Sequence, residues 1–173
     1  MEIVLVQPEI PQNTGSTARL AAAVDLRLHL VEPIGFSLDS RHLKRAGLDY
    51  WPDVDMLVHA SWQALQEELS ANSNRPLKER LRLFTARGGE SLFAVDFEAD
   101  DVLVFGCESK GLPENLLAEY PERRVTVPMR GAVRSLNLAN IVCLGAYAAL
   151  HRTDALDRFE FGEVEPGKFE NEA

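Results

Sequence analysis

Three polar residues stand at the start of an apolar, helix-like segment near the C-terminus. Ser135, Asn137 and Asn140 precede or open a run from 138 to 150 in which apolar residues recur at helical spacing. The pattern predicts a helix from about Leu136 with Ser135 as its N-cap, because a serine hydroxyl accepts from the backbone N–H groups that open a helix. A core helix does not need amides in its first turn, so these side chains indicate a binding or catalytic site.

A second candidate is the segment NTGSTARL, at 13–20. It places Asn13 at a predicted helix N-terminus and Arg19 six residues later, where both side chains could face the end of a strand. By itself the segment is also typical of a capped helix that carries a solvated arginine. Whether this segment marks a functional site therefore depends on the other motifs.

A third candidate is the glycine-bearing loop FGCESKGLP, at 105–113. Gly106 and Gly111 have the spacing of a P-loop, but the lysine and hydroxyl residue that should follow are absent. The carboxylate of Glu108 in the same loop would also repel phosphate. The glycines indicate instead a backbone that approaches a ligand closely.

The spacing of apolar runs predicts the elements that must position these loops. Runs rich in valine, isoleucine and leucine predict six strands, at Glu2–Gln7, Leu26–Val31, Met56–His59, Arg80–Ala86, Val102–Phe105 and Arg124–Val127. Helical segments lie between them, so the expected fold class is α/β, with a mostly parallel sheet flanked by helices. The candidate loops follow the first, fifth and sixth strands. Because ligands of such sheets bind beyond the carboxyl ends of strands, the three loops are expected to converge.

Composition limits the possible classes of protein. The chain has 173 residues, 46% of them apolar, which suits one globular domain. We expect that domain to span 1–156 and to be followed by an acidic, flexible tail at 157–173. No apolar run approaches the length of a membrane span, and no targeting signal precedes the first strand. A cytoplasmic protein without a membrane partner is therefore expected.

The net charge of −9 is unusual for a protein that binds nucleic acid. The stretch 154–173 has seven acidic and two basic residues, so it carries −5 of this charge. Basic residues are densest at Arg41, Lys44 and Arg45, on a short helix that Ser40 is predicted to cap. A polyanion-binding protein with this balance needs its few cations well placed.

Several familiar cofactor and metal sites are missing from the sequence. No G-x-G-x-x-G follows a strand, which disfavours a Rossmann dinucleotide site. There is also no C-x-x-C, H-E-x-x-H or G-x-S-x-G pattern, and the four histidines lack ligand spacing. Cys107 and Cys143 are typical of small buried hydrophobes rather than of a disulfide or a metal site. No metal is expected.

Taken in order, the three motifs resemble those of the SPOUT (SpoU-type) RNA ribose 2′-O-methyltransferases. The third motif is the most specific, with Pro128 and Met129, a loop, and then Arg-Ser-Leu-Asn-Leu-Ala-Asn at 134–140. The stretches QPEIPQNTG, HLVEPIGF and KRAGLDY further resemble the small single-domain members of this family. Those members methylate the wobble nucleotide, cytidine or uridine 34, in the tRNA anticodon loop.

The resemblance implies a fold, a cofactor and partners. Family members have an α/β fold with a deep trefoil knot in its C-terminal part, act on RNA (here tRNA) as homodimers, and bind S-adenosyl-L-methionine within the knot. Carried over by position, the cofactor contacts would be Phe84, Thr85, Ala86, Gly106, Val127, Met129, Ser135 and Leu136. The catalytic residues would be Asn13, Arg19, Glu108, Ser135 and Asn137.

Within that set, we assign Arg19 to clamping a phosphate and stabilising the developing alkoxide, because a guanidinium stays protonated at neutral pH and is a poor base. Glu108 would orient Arg19 or the amides of the third motif. The cluster Arg41, Lys44 and Arg45 would contact RNA phosphates.

The implied homodimer has two interface candidates. One is the helix of the first motif, and the other is the apolar face of the last helix, with Leu138, Ile141, Val142 and Gly145 and with Tyr147 on its flank. Two alternative functions stay open at this point. The same motifs allow a 2′-O-methyltransferase of another tRNA or rRNA ribose, and a non-catalytic RNA-binding dimer could retain the knot.

Overall fold

Seven parallel strands form one sheet in the computed structural model, which describes residues 1–38, 54–131 and 134–159. They are β1 (Glu2–Val6), β2 (Arg27–Val31), β3 (Met56–His59), β4 (Leu81–Phe84), β5 (Glu90–Ser91), β6 (Val102–Phe105) and β7 (Arg124–Thr126). Their order across the sheet is β3-β2-β1-β6-β4-β7-β5, and each pairing is parallel. The predicted α/β class with a mostly parallel sheet is confirmed.

Helices cover the sheet on both faces. They are α1 (Pro11–Ala23), α2 (Trp62–Ala71), α3 (Leu77–Arg80), α4 (Glu114–Glu119) and α5 (Leu138–Arg152), with 3-10 turns at Pro121–Arg123 and Ala155–Arg158. The hydroxyl of Ser61 caps α2, accepting from the N–H of Ala64 at 3.2 Å. In the described ranges, no helix combines the length and apolarity needed to cross a bilayer.

The strands alternate between two cores, one on each face of the sheet. On β1, Ile3 and Leu5 join the core beneath α1 and α5, whereas Val4 and Val6 join the core beneath α2 and α4. Burial on both faces explains why the strand sequences are continuous apolar runs rather than alternating ones. These runs made the strands predictable to within about two residues at each end.

Two boundaries differ from the sequence prediction. The helix of the first motif begins at Pro11, at its first position, rather than at Asn13. The last helix begins at Leu138, and its N-cap is Asn137, whose side chain accepts from the N–H of Asn140 at 3.3 Å. The prediction of Ser135 as N-cap and Leu136 as first helical residue was therefore wrong, because Asn137 is the residue anchored in place by a distant partner.

The prediction of six strands missed β5, a two-residue strand that pairs with β7. With β5 included, the order of the C-terminal strands in the sheet differs from their order in the chain, since β7 lies between β4 and β5. The chain joins β4 to β5 directly through 85–89, yet β7 hydrogen-bonds to β4 on one side and to β5 on the other. The segment after β7 then leads to α5, which packs against α1 and β6. Such crossing of the C-terminal segments suits the knot that the resemblance implies.

The apolar face of α5 is used inside the protomer. Leu138, Val142 and Gly145 are buried in the core beneath α1 and α5, so they are not available for the predicted dimer interface. The apolar stripe reflects contact with the sheet, not with a second subunit. Tyr147, which is 44% exposed, and Cys143, which is also exposed, lie on the outer face of this helix.

Ordered structure continues slightly beyond the predicted domain boundary. The 3-10 turn Ala155–Arg158 follows α5, and Leu156 and Phe159 pack against the core. The rest of the predicted tail, 160–173, lies outside the described residues, as do Arg41, Lys44 and Arg45 of the predicted basic helix.

Gly145 has no room for a side chain, which leads to a stability prediction. A Cβ at this position would lie 2.8 Å from the ring of Phe84, which is itself 6% exposed and stacked on Phe105. Gly145→Val is expected to lower the free energy of unfolding by about 1–3 kcal/mol, the usual cost of overpacking a core. Urea denaturation measures the change, with Cys143→Val on the exposed side of the same helix as control. Equal stability of the two variants would contradict the packing argument.

Candidate active site

The three motif loops are joined by a chain of hydrogen bonds beyond the carboxyl ends of β1, β6 and β7. The side-chain N–H of Asn137 donates to the Asn13 side-chain oxygen at 2.9 Å, and the Asn13 side-chain N–H donates to Glu108 Oε1, also at 2.9 Å. One residue from each motif takes part. Asn13 is 7% exposed and uses both ends of its amide, so its orientation is determined by its two partners. The predicted convergence of the loops is thus present in the structure.

Glu108 also supplies the cap that α1 lacks. The N-cap residue of this helix, Ile10, has no side-chain cap hydrogen bond of its own. The Glu108 carboxylate instead accepts from the backbone N–H of Glu9 at 2.8 Å and from that of Ile10 at 3.2 Å. A negative charge is favoured at a helix N-terminus, where backbone N–H groups lack helical partners. Glu108 therefore ties the second-motif loop to the start of α1.

A reciprocal contact runs in the opposite direction. The Glu9 carboxylate accepts from the backbone N–H of Ser109 at 3.0 Å and from its hydroxyl at 2.7 Å. Gly35 supports this loop from behind: its N–H donates to the Pro8 carbonyl at 2.9 Å, and a Cβ there would lie 2.9 Å from the Glu9 Cα. Glu108 and Glu9 thus form a double clasp between the loop 7–10 and the loop 106–111.

A cavity of about 610 Å³ opens between the motif loops, within the size range of small-molecule sites. It includes all eight residues predicted to contact the cofactor: Phe84, Thr85, Ala86, Gly106, Val127, Met129, Ser135 and Leu136. It also includes four of the five predicted catalytic residues: Asn13, Glu108, Ser135 and Asn137. Residues more than 120 positions apart in sequence, such as Asn13 and Asn137, therefore meet at one site.

The floor of the cavity is aromatic and closely packed. Phe84 and Phe105 stack with ring centroids 4.3 Å apart. Gly106 follows Phe105, and a Cβ there would lie 2.0 Å from the backbone carbon of Gly111. Gly111 in turn adopts a φ of +75°, a conformation that glycine tolerates best. The tight turn of their own loop already requires these two glycines, and both also line the cavity, so the close approach to a ligand that the sequence suggests stays a prediction.

Arg19 is the one predicted catalytic residue outside this group. It lies exposed on α1 and is not among the residues that line the cavity. Six residues of helix separate it from Asn13, which is about 9 Å along the axis and on a different face. The two side chains therefore do not face the same end of a strand, as the sequence had suggested. The hydrogen bonds of the Glu108 carboxylate orient Asn13 and the start of α1.

Five residues that form or line this site were not among the predicted catalytic or cofactor-binding residues. Glu9 and Ser109 form half of the clasp, and the charged side chains of Arg87, Lys110 and Arg134 line the cavity. Each lies within or next to a loop that was already singled out, except Arg87. Counting charges loop by loop would have found Lys110 and Arg134, whereas nothing local indicated the Glu9–Ser109 pair.

A second polar cluster lies on the α2 side of the sheet and does not line the cavity. His29 contacts His59 at 2.9 Å and Glu2 at 2.7 Å, and buried Arg80 donates to Glu2 at 3.2 Å and to the Leu69 carbonyl of α2 at 2.8 Å. Burial raises the pKa of Glu2, but the hydrogen bond and charge of His29, together with the charges of Arg80 and the N-terminus, outweigh burial, so that this pKa lies below its usual value. Burial, aided by His29, lowers the pKa of His59. These groups satisfy one another in the core, and no group of three or more His, Cys, Asp or Glu residues in the described part of the chain is arranged so that it could hold a metal ion.

Comparison with known proteins gives consistent matches over most of the chain. The model of the SpoU rRNA Methylase family matches residues 1–147. The tRNA (cytidine(34)-2′-O)-methyltransferase of Polaromonas sp. (strain JS666 / ATCC BAA-500) is 48% identical over 148 residues, which are 85% of this chain and 87% of the relative.

Solved structures of methyltransferases also match this chain over most of its length. A structure described as giving insights into the 2-OH methylation of C/U34 on tRNA has a TM-score of 0.78 and 49% identity, covering 87% of this chain and 94% of the other. The SpoU methyltransferase AviRb from Streptomyces viridochromogenes, in complex with AdoMet, has a TM-score of 0.75 over 88% of this chain and 57% of its own. At 22% identity, that second match concerns the fold alone.

Proposed function

Because this chain belongs to the SpoU rRNA methylase family, we propose that it transfers a methyl group from S-adenosyl-L-methionine to the ribose 2′-hydroxyl of the wobble nucleotide, cytidine or uridine 34, of tRNA. The observation that carries the proposal is the hydrogen-bonded chain Asn137–Asn13–Glu108, which joins the three motif loops around one cavity. The name of the relative that is 48% identical supports the choice of nucleotide. With tRNA as substrate, the enzyme would act in the cytoplasm.

The cavity fits the proposed methyl donor. Its volume of about 610 Å³ suits a nucleoside-sized ligand, and apolar residues such as Val127, Leu136 and Ile141 line it. Thr85, Met129 and Ser135 line the cavity from the segments after β4 and β7. When bound, S-adenosylmethionine supplies a methyl group activated by its sulfonium. The C-terminal crossing around the cavity would be the family's trefoil knot.

The amides of the site would position the ribose. A neutral hydroxyl is a weak nucleophile, so alignment within about 3–3.5 Å of the methyl carbon provides much of the acceleration. Asn13 has both amide ends occupied, and it holds the Asn137 amide through a 2.9 Å hydrogen bond. Asn137 likewise donates to Asn13 and accepts from the N–H of Asn140, but it is exposed at the start of α5, so its second amide hydrogen and second oxygen lone pair would contact the sugar. Arg19 would clamp the neighbouring phosphate and stabilise the developing alkoxide.

The enzyme would work as a homodimer. Since the inner face of α5 is buried in the protomer, the contact would use the outer faces of α1 and α5, including Arg19 on α1 and Cys143 and Tyr147 on α5. Analytical ultracentrifugation at micromolar concentration tests this, and a monomer would contradict it. The cluster Arg41, Lys44 and Arg45, outside the described residues, would add RNA phosphate contacts.

The function is tested with purified protein, S-adenosylmethionine and an unmodified tRNA transcript. Nuclease digestion and mass spectrometry should locate one 2′-O-methyl group at nucleotide 34. The matched control is the same tRNA with a 2′-deoxyribose at that position, which should receive no methyl group. Methylation of another ribose would refute the assignment to position 34, and donor binding without methylation of any RNA would refute catalysis.

A further inference from the structure

The charged residues that line the cavity are mostly cationic. Arg87, Lys110 and Arg134 contribute three positive charges, and Glu108 contributes the one negative charge among the described lining residues. The three cations are exposed, at the mouth of the cavity, in a chain whose net charge is −9. A cluster of positive charge is unexpected in so acidic a chain, and it therefore suggests an anionic ligand at this site.

The negative charge at the mouth is already engaged. The Glu108 carboxylate accepts hydrogen bonds from two backbone N–H groups and from Asn13. In contrast, the side chains of Lys110 and Arg134 have no ion pair or hydrogen bond within the described ranges. The charge that the mouth presents to an incoming ligand is therefore positive.

The three cations come from three separate segments. Arg87 lies in the loop between β4 and β5, Lys110 in the loop after β6, and Arg134 in the segment before α5. No two of them are close in sequence, so the cluster exists only in the folded chain. Three of the segments that line the cavity therefore supply one cation each, whereas the segment with Ile10 and Asn13 supplies none.

We propose that Arg87, Lys110 and Arg134 form a phosphate-binding rim that holds the RNA backbone on either side of the nucleotide inserted into the cavity. The inference rests on the proposed function and adds the residues that grip the substrate. RNA is a polyanion, and cations that contact its phosphates set both affinity and register. Placed at the mouth, they would orient the target ribose relative to Asn13 and Asn137.

Arg87 differs from the other two because it forms an ion pair with Glu114 in the first turn of α4. Both side chains are well exposed, at 62% and 72%, and exposed pairs of this kind contribute little to stability. A phosphate could therefore replace Glu114 at small cost. Glu114 would compete with the RNA for Arg87 and weaken binding.

The donor offers another anion, the carboxylate of its methionine part, which has the same chemistry as a target for these cations. The two sources are distinguished by measuring donor affinity and tRNA affinity separately for each variant. If the rim serves RNA, only the tRNA affinity and its salt dependence change. If it serves the donor, the donor Kd rises and the tRNA salt dependence stays as in the wild type.

The main test is the double variant Lys110→Ala with Arg134→Ala. Its tRNA Kd should rise at least about tenfold at physiological salt, and the slope of log K against log[salt] should become shallower by about 1.5, or roughly 0.7–0.9 per lost contact. The donor Kd should stay within about twofold. The control is Lys78→Ala, an exposed lysine on α3 that does not line the cavity, which should change neither quantity.

Glu114→Gln provides a test with the opposite sign. Release of Arg87 should tighten tRNA binding by about two- to fivefold, the scale of losing one competing surface pair. Glu119→Gln, which removes an exposed charge from the same helix outside the cavity, is the control and should have a smaller effect. Weaker tRNA binding by Glu114→Gln would contradict the inference that Glu114 competes with RNA for Arg87.

If the slope of log K against log[salt] is unchanged in the double variant, the proposal of a phosphate-binding rim is wrong. If the wild-type protein still methylates nucleotide 34 in that case, the proposed function survives without the rim. If the wild-type protein methylates no RNA, the proposed function itself fails. The single variants of Lys110 and Arg134 should each give about half of the slope change, so one well-folded variant suffices to decide.

Discussion

Replacing Glu108 by alanine is expected to lower the turnover of methyl transfer by at least about a hundredfold. The change removes the acceptor for the backbone N–H groups of Glu9 and Ile10 and for the amide of Asn13. Leaving the buried amide of Asn13 without its acceptor costs about 1–3 kcal/mol, and the upper end of that range, lost at the catalytic geometry, reaches the stated factor; the exposed N–H groups of Glu9 and Ile10 can turn to water. Asn13 would then be free to rotate, and Asn137 would lose its partner.

Single-turnover rates at saturating donor and tRNA measure this effect, and donor titration shows how far the cavity is perturbed. Glu108→Gln should recover part of the rate, because one amide oxygen can replace some but not all of the accepted bonds. The control is Glu119→Ala, an exposed carboxylate of α4 outside the cavity. A Glu108→Ala enzyme with near wild-type single-turnover rate would show that the clasp does not position the catalytic amides.

Arg19→Ala is expected to lower turnover to a similar extent, by at least about a hundredfold, but with the affinity for S-adenosylmethionine unchanged. Turnover is expected to fall because the variant loses one preorganised cationic group near the developing alkoxide. The reason for unchanged donor binding is that Arg19 does not line the cavity. Arg19→Lys should restore little activity, because an ammonium cannot reproduce the planar, bidentate fork of a guanidinium.

Donor titration and single-turnover kinetics test this assignment together. Loss of donor binding with a normal rate at saturation would show that Arg19 has a different role. Mixed dimers of an Arg19→Ala subunit with an Asn137→Ala subunit add a second readout. They regain activity only if Arg19 serves the cavity of the other subunit, because one intact site then remains, and they stay inactive if it serves its own.

Much of the fold followed from local sequence patterns. Apolar runs at strand length, separated by helical segments, determined a parallel α/β sheet, since strands buried on both faces and their crossover helices leave unmistakable periodicities. The same patterns placed the three motif loops after the right strands, and parallel strands bring their carboxyl ends to one edge. Convergence of Asn13, Glu108 and Asn137 was therefore predictable, because it follows from strand direction alone.

Other features were decided by contacts between residues about a hundred positions apart. Ser135 and Asn137 are both good N-cap residues by type. In the structure Asn137 is the N-cap of α5, and its side chain is also hydrogen-bonded to Asn13, which is far away in sequence. Similarly, an apolar stripe on α5 does not reveal whether it faces a sheet or another subunit, and the close packing of Gly145 on Phe84 answers that question.

The remaining features left no local signal at all. A two-residue strand such as β5 is too short to show periodicity, and it exists because β7 offers it a partner. The pairing of Glu9 with Ser109 and the meeting of Arg87, Lys110 and Arg134 join side chains from separate segments. Propensity and periodicity describe interactions within a few residues along the chain, whereas these contacts depend on which loops the tertiary fold brings together. Local patterns therefore located six of the seven described strands and the edge of the sheet where the site lies, whereas packing between distant segments selected the side chains that complete it.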